Sequence, residues 1–250
     1  HPQKHDISME HVDFSYDSKP ILKNVSVTIP DRTTTAIVGP SGSGKTTLCN
    51  LIARFWDVDH GSIRIGDADV REYTLESLME QISMVFQKVY LFADTIENNI
   101  KFGRPDATHE QVVEAARKAC CHEFIEALPD GYNTVIGEGG ATLSGGEKQR
   151  ISIARAILKD SPIIIFDEAT ANVDPENEDK LQKAMEELMR DKTIIMIAHR
   201  LKTVQKADQI LVLDDGAIVQ RGTHAQLSEK PGLYRDFLNA RKEAAGWKLS

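Results

Sequence analysis

Gly39-Pro40-Ser41-Gly42-Ser43-Gly44-Lys45-Thr46 is the stretch that decides the fold. It fits the pattern G-x-x-x-x-G-K-[ST], and its flanks carry as much weight as the match. Thr34-Thr35-Ala36-Ile37-Val38, a β-rich run, ends at Gly39. From Lys45 to Phe55 the apolar residues Leu48, Leu51, Ile52 and Phe55 recur at helical spacing. Strand, glycine-rich turn and helix together let backbone N–H groups curl around phosphate oxygens, with the helix dipole adding positive potential. Lys45 is then placed for β- and γ-phosphates and Thr46 for Mg2+, in a loop running from Gly39 to Thr47. An ordinary Gly-rich turn would match this pattern by chance in on the order of one chain in a hundred.

Working outward, Ile7, Met9, Val12 and Phe14, then Val25, Val27 and Ile29, alternate with polar residues and read as half-buried strands over 7–14 and 25–29. Ile63 and Ile65 suggest a further strand, 74–82 a helix, and Met84-Val85-Phe86 a strand ending at Gln87. From about 94 to 159 the pattern turns helical, with one helix expected over Gln111–Glu126 and another over Ser144–Leu158. Ser144 with Glu147 three residues on is a helix-entry signal. Strand patterns return at Ile163–Phe166, Thr193–Ala198, Gln209–Leu213 and Ala217–Gln220, with a helix at 176–190 and another in the tail, Leu233–Trp247. Alternating strands and helices imply a largely parallel sheet covered on both faces. The helical stretch at 94–159 reads as an inserted subdomain of one domain whose core covers about 6–93 and 160–240.

With 250 residues and 41% hydrophobic content, the chain has material for one large domain or one with a subdomain. Its net charge of −8 argues against a broad nucleic-acid surface. The three cysteines, Cys49, Cys120 and Cys121, show no CxxC spacing, so a zinc site or a disulfide framework is not indicated. No apolar run approaches bilayer-spanning length. The chain begins with His1 rather than Met, which reads as a piece of a longer protein or as the remnant of a trimmed tag.

Three further elements carry chemistry. Ile163-Ile164-Ile165-Phe166 ends in Asp167 and Glu168. A carboxylate at a strand terminus suits Mg2+, and a second beside it suits polarising an attacking water. Alone the pair is an acidic loop opening; with the glycine loop it becomes specific. Gln87 and His199 also follow strands, and parallel strands deliver their C-terminal ends to one sheet edge, where ligands bind. Lys45, Gln87, Asp167 and His199 are thus expected to converge at that edge, as phosphoryl transfer needs. Leu143-Ser144-Gly145-Gly146-Glu147 opens a helix and forms a second anion site. A cap explains Ser144 and Glu147 but not the paired glycines. Two phosphate devices a hundred residues apart suggest a site shared between two chains.

Taken together, the chain resembles the nucleotide-binding domain of ABC transporters from about residue 6 to 240. The glycine loop, Gln87, the LSGGE stretch at 143–147, Asp167-Glu168 and His199 stand in that family's order. The resemblance implies an α/β P-loop NTPase fold: a RecA-like core, an antiparallel β subdomain and an inserted helical signature subdomain. It implies ATP and Mg2+, with Glu168, His199, Gln87 and Lys45 catalytic and Thr46, Gln87 and Asp167 toward the metal. Tyr16 would stack on adenine and Asp174, in Ala171-Asn172-Val173-Asp174, would speak across a dimer. Pro40, Ser41, Gly42, Ser43, Gly44, Thr47, Ser144, Gly145 and Gly146 complete the nucleotide contacts. The implied partners are a second ATPase domain and membrane helices lying upstream in the same chain, at the cytoplasmic side of the cell membrane.

Tyr90-Leu91-Phe92, Thr95-Ile96-Glu97-Asn98-Asn99-Ile100 and Gly216–Leu227 resemble exporter-type half-transporters. Thr134-Val135-Ile136-Gly137-Glu138-Gly139-Gly140 departs from the exporter pattern and is similar to bacterial members that handle iron–siderophore complexes, some of them importers, so direction stays open. ABC ATPases of DNA repair or chromosome structure need a long coiled coil before the signature, and about a hundred residues leave no room for one. Nothing in the P-loop kinases or switch GTPases employs LSGGE or His199. A non-hydrolysing half would not keep both Glu168 and the signature. Cargo and the choice of homodimer or heterodimer are not legible.

Overall fold

The computed structural model of the chain describes residues 2–86, 88–137, 140–168 and 175–247. Strands β1 (Ile7–Tyr16), β2 (Lys19–Ile29), β4 (His60–Ile65) and β5 (Ala68–Asp69) form an antiparallel sheet of order β2-β1-β4-β5. The apolar set of β1 is spaced 7, 9, 12, 14, which strict alternation cannot bury on one face. The register accordingly shifts between Met9 and Val12, with His11 at φ 48, and all four side chains reach the core. One extra residue in the strand restores the phase.

A second sheet has six strands in the order β12-β11-β3-β10-β9-β6. Its members are β3 (Thr34–Val38), β6 (Ile82–Val85), β9 (Ile163–Asp167), β10 (Thr193–Ile197), β11 (Gln209–Asp214) and β12 (Ala217–Gly222). β3 pairs in parallel with both β10 and β11, and β12 returns antiparallel at the edge. All five residues of β10 are buried, as a strand covered on both faces requires. Beneath β3 and β11 lie Val204, Leu227, Tyr234 and Leu238. The buried Tyr234 hydroxyl meets Nδ1 of His224 at 2.6 Å.

Helix α1 runs over Lys45–Ile52 and stops short of the Phe55 expected from periodicity. Phe55 N–H reaches back to the Asn50 carbonyl and Arg54 N–H to that of Leu51, with Arg54 at φ 56, a left-handed helix stop. Phe55 is exposed rather than on the buried face. Helix α2 (Leu75–Gln81) is capped by Thr74, whose side chain accepts from Ser77 N–H.

By compactness the chain divides into 1–82 with 165–170 and 193–250, and a second unit of 83–164 with 171–192, wider than the 94–159 expected for the helical part. In the second unit, β7 (Asp94–Thr95) pairs antiparallel with β8 (Val135–Ile136), a short two-stranded ladder closed across three helices that the local pattern does not predict. Around it lie α3 (Ile96–Lys101), α4 (His109–Lys118), α5 (His122–Glu126), α6 (Gly145–Lys159) and α7 (Pro175–Met189). The single helix expected over 111–126 is two. Cys121 N–H bonds the Ala116 carbonyl and Cys120 N–H that of Arg117, with Cys120 left-handed at φ 56. Arg150 on α6 donates to the freed Cys120 carbonyl at 2.6 Å. In the first unit, α8 (Leu201–Lys206), α9 (His224–Ser228) and α10 (Leu233–Trp247) complete the chain.

Candidate functional site

The loop between β3 and α1 is built for close approach. Gly39 lies at φ +157, and a Cβ there would stand 2.2 Å from the Leu213 carbonyl oxygen. Gly44, left-handed, begins α1 without a side-chain cap, so among the described residues no capping side chain takes up the first-turn N–H groups. Lys45 folds over the loop: its Nζ donates to the Gly39 carbonyl at 2.5 Å and to that of Pro40 at 3.0 Å. Burial lowers the Lys45 pKa, and the negative charge of Asp167 opposes that shift. Thr46 is exposed, Thr47 is buried, and the buried Ser43 hydroxyl has no hydrogen-bond partner among the described residues. Cys49, enclosed in α1, has its thiol pushed up to about 12 by burial and by the charge of Asp167, which leaves it inert.

Asp167 ends β9, and its Oδ1 stands 3.3 Å from Nε2 of His199, just beyond β10. Glu168 follows with only 6% of its surface exposed. Its backbone N–H is tied to the Ile197 carbonyl at 3.0 Å. Neither carboxylate oxygen has a hydrogen-bond partner among the described residues; Arg200 Nε approaches Oε1 to 3.6 Å, beyond hydrogen-bonding reach. Burial raises the Glu168 pKa, and Thr203 and Arg200 oppose that shift. A carboxylate so placed can accept a proton and has oxygens available for a water.

Tyr16 closes β1 beside this loop. The Thr47 hydroxyl donates to its Oη at 3.4 Å, and the rings of Phe14 and Trp56 stand nearly perpendicular to it. Lys45, Asp167, Glu168, His199 and Tyr16 thus all belong to the first compact unit. Gln87 and Asp174, expected in the site, lie outside the described residues. Ser144 and Glu147 form a capping box at the start of α6: Glu147 N–H donates to Ser144 Oγ at 3.2 Å and Ser144 N–H to Glu147 Oε1 at 2.9 Å. Gly145 and Gly146 have ordinary φ values. A Cβ on Gly145 meets nothing within 4 Å, and one on Gly146 comes only to ordinary contact with Asn177.

Sequence reasoning missed Arg200 and Trp56. Arg200 directly follows His199, and a cation next to a strand-end histidine was the available signal. For Trp56 there was none, because it follows a helix end that the sequence conceals. In the second unit, Arg155 was also missed. It donates to the carbonyls of Asn99 (2.8 Å) and Tyr90 (2.9 Å) and lies over the rings of Phe92 and Phe102.

The ABC transporter family model matches residues 22–171, from β2 through the glycine loop, the Ser144 cap and Glu168. The chain belongs to the ABC transporter family. ABC ATPase domains work on ATP with Mg2+, and the donor set here fits. Among the described residues no cluster of three or more His, Cys, Asp or Glu side chains could cage an ion. Mg2+ is typically held instead by one or two protein oxygens together with substrate phosphates, which Asp167 and Thr46 can supply.

The chain is 51% identical over 234 residues to the ATP-dependent lipid A-core flippase of Vibrio parahaemolyticus serotype O3:K6 (strain RIMD 2210633). It is 50% identical over 232 residues to the flippase of the same name from Escherichia coli (strain K12). In each case 92% of this chain aligns with 40% of the relative, so it spans well under half of their length. Among solved structures, a bacterial Atm1-family ABC exporter with ATP bound matches with a TM-score of 0.89 and 40% identity, over 96% of this chain and 42% of that one. Among the described residues no helix is long and apolar enough to cross a membrane.

Proposed function

We propose that this ABC ATPase domain is the motor of an exporter-type membrane transporter, two copies of the domain closing on ATP while membrane helices carry the cargo. The observation that carries the reading is the buried carboxylate of Glu168, flanked by Arg200 and standing beside the Asp167–His199 contact, in the same compact unit as Lys45. In this reading Lys45 leaves the Gly39 and Pro40 carbonyls for β- and γ-phosphate oxygens. Thr46 and Asp167 hold Mg2+, which when bound neutralises phosphate charge. Glu168 accepts a proton from the attacking water, a role favoured by its raised pKa. His199, oriented by Asp167, donates toward the transferred phosphoryl group.

The second half of the site comes from a partner. Within this chain neither backbone conformation nor packing demands glycine at 145 or 146. Small residues there serve an approach from outside, and the N-terminus of α6 offers N–H groups to an anion. Membrane helices would dock on the aromatic surface that Arg155 organises, where Tyr90 is 73% and Phe102 62% exposed. The exporter-type assignment and the place at the membrane follow the relatives' names.

The test is phosphate release by the purified chain. MgATP should be hydrolysed, chelation of Mg2+ should stop it, and activity per chain should rise with protein concentration, because each site needs two chains. Activity per chain that stays constant across dilution would overturn the shared site, and no hydrolysis at any concentration would overturn the motor.

A further inference from the structure

Trp56 sits 5.5 Å from Tyr16, centroid to centroid, with ring planes at 80°. Phe14 contacts the same Tyr16 ring at 4.8 Å and 89°. Near-perpendicular aromatic contacts are directional, so two of them on one ring fix its plane. Phe14 is the buried member and belongs to the core. Trp56 is 53% exposed, so its position owes little to core burial.

Trp56 is held by the chain around it. After the left-handed stop at Arg54, the segment returns to the end of β1. Asp59 N–H bonds the Asp13 carbonyl at 2.9 Å, and the Asp59 carboxylate accepts from Ser15 N–H at 2.7 Å. Arg54 Nε donates to Asp57 at 2.9 Å and closes the turn between. These bonds flank Phe14 and end next to Tyr16 on one side, and bracket Trp56 on the other. The segment just beyond the helix whose first residue is Lys45 therefore delivers the ring that abuts Tyr16.

We propose that Trp56 is a positioning residue for base recognition: it holds the Tyr16 ring in the orientation in which the ring receives adenine. The inference rests on the reading that Tyr16 stacks on the base. Trp56 acts through Tyr16, so its loss matters only while Tyr16 is present.

The experiment is a double-mutant cycle on the purified chain, read as the affinity for ATP by displacement of a methylanthraniloyl-ATP probe. Trp56→Ala should weaken ATP binding about threefold to tenfold, the strength of one aromatic pair. Trp56→Phe should restore most of it, since a ring returns to the contact. Tyr16→Ala should weaken binding further, and adding Trp56→Ala to it should change nothing more. Unchanged binding in Trp56→Ala with weakened binding in Tyr16→Ala would overturn the role of Trp56 and leave base stacking standing. Unchanged binding in Tyr16→Ala would overturn base stacking and the inference together. An effect of Trp56→Ala that persists undiminished without Tyr16 would show that Trp56 acts on its own, and would overturn positioning. Because Trp56→Phe keeps a ring of similar bulk, failure of that variant to restore affinity in a folded protein would also overturn it.

Discussion

Arg200 Nε lies 3.6 Å from Oε1 of Glu168, close enough to attract the carboxylate and too far to hydrogen-bond it. Glu168 is thus a buried acid with a cation at its side. Glu168→Gln keeps the shape and removes the base. Turnover should fall by about 10²-fold or more, the contribution of a general base, while ATP affinity is retained. Thermal stability should not drop, because the substitution removes a desolvated charge. Wild-type turnover in the variant would remove Glu168 from the mechanism.

The glycine loop separates two kinds of constraint. Gly42, at φ +77, has open space where a Cβ would stand, so Gly42→Ala should cost only the left-handed backbone, about 1–2 kcal/mol. At Gly39 a Cβ meets the Leu213 carbonyl oxygen at 2.2 Å, and backbone has to move. Gly39→Ala should add a collision of about 1–3 kcal/mol on top. Chemical denaturation of the two variants should rank them in that order; equal stabilities would show that the loop yields more than its geometry implies.

Asp69 accepts from Arg71 Nε and Nη2 and from its backbone N–H, and the Arg71 hydrogen bond holds the Asp69 carboxyl below the usual carboxylate range. The folded pKa is depressed, so the pair stabilises the protein above the unfolded value of about 3.9 and the contribution is lost as pH falls through the folded value. Arg71 is partly exposed, so the pair is worth about 1 kcal/mol or less. Arg71→Ala should melt below the native protein at pH 7. The gap should close once the pH has fallen below the depressed folded value of Asp69, where its carboxyl is protonated in both.

Much of this was legible in the sequence, and the misses share a cause. Gly39–Gly44 lies between β3 and α1, with Lys45 and Thr46 opening the helix, and Ser144 with Glu147 does form a reciprocal cap. Both misplaced helix ends stop on a left-handed residue that is neither Gly nor Asn, namely Arg54 and Cys120. Such a stop costs about 1–2 kcal/mol of local conformational energy and leaves no compositional signal, so periodicity runs past it. The carbonyl freed at Cys120 is taken up by Arg150, thirty residues away, which local reading cannot see. Trp56 was invisible for the same reason, since its place depends on the Arg54 stop. The convergence of Asp167 and His199 was legible because strand ends in one sheet share an edge.

The shared site makes the strongest demand on the chain. If Lys45 and Ser144 act on one nucleotide from different chains, Lys45→Ala and Ser144→Arg are each inactive alone, since each homodimer has two broken sites. A mixed dimer has one site with both defects and one with neither. Mixing should restore up to about half of the native rate per mixed dimer, as two-fold symmetry dictates. A direct readout is cross-linking between Gly42→Cys on one chain and Ser144→Cys on another. Cys49 and Cys121 are buried, and Cys120 is only partly exposed, so Cys120→Ser gives a quiet background. Gly145 has no neighbour within 4 Å of a Cβ and Ser144 is exposed, so the engineered thiol at 144 is accessible. Cross-links between chains should form with MgATP and fade without it. Cross-links of equal yield without nucleotide, or only within one chain, would show that ATP does not join the two chains.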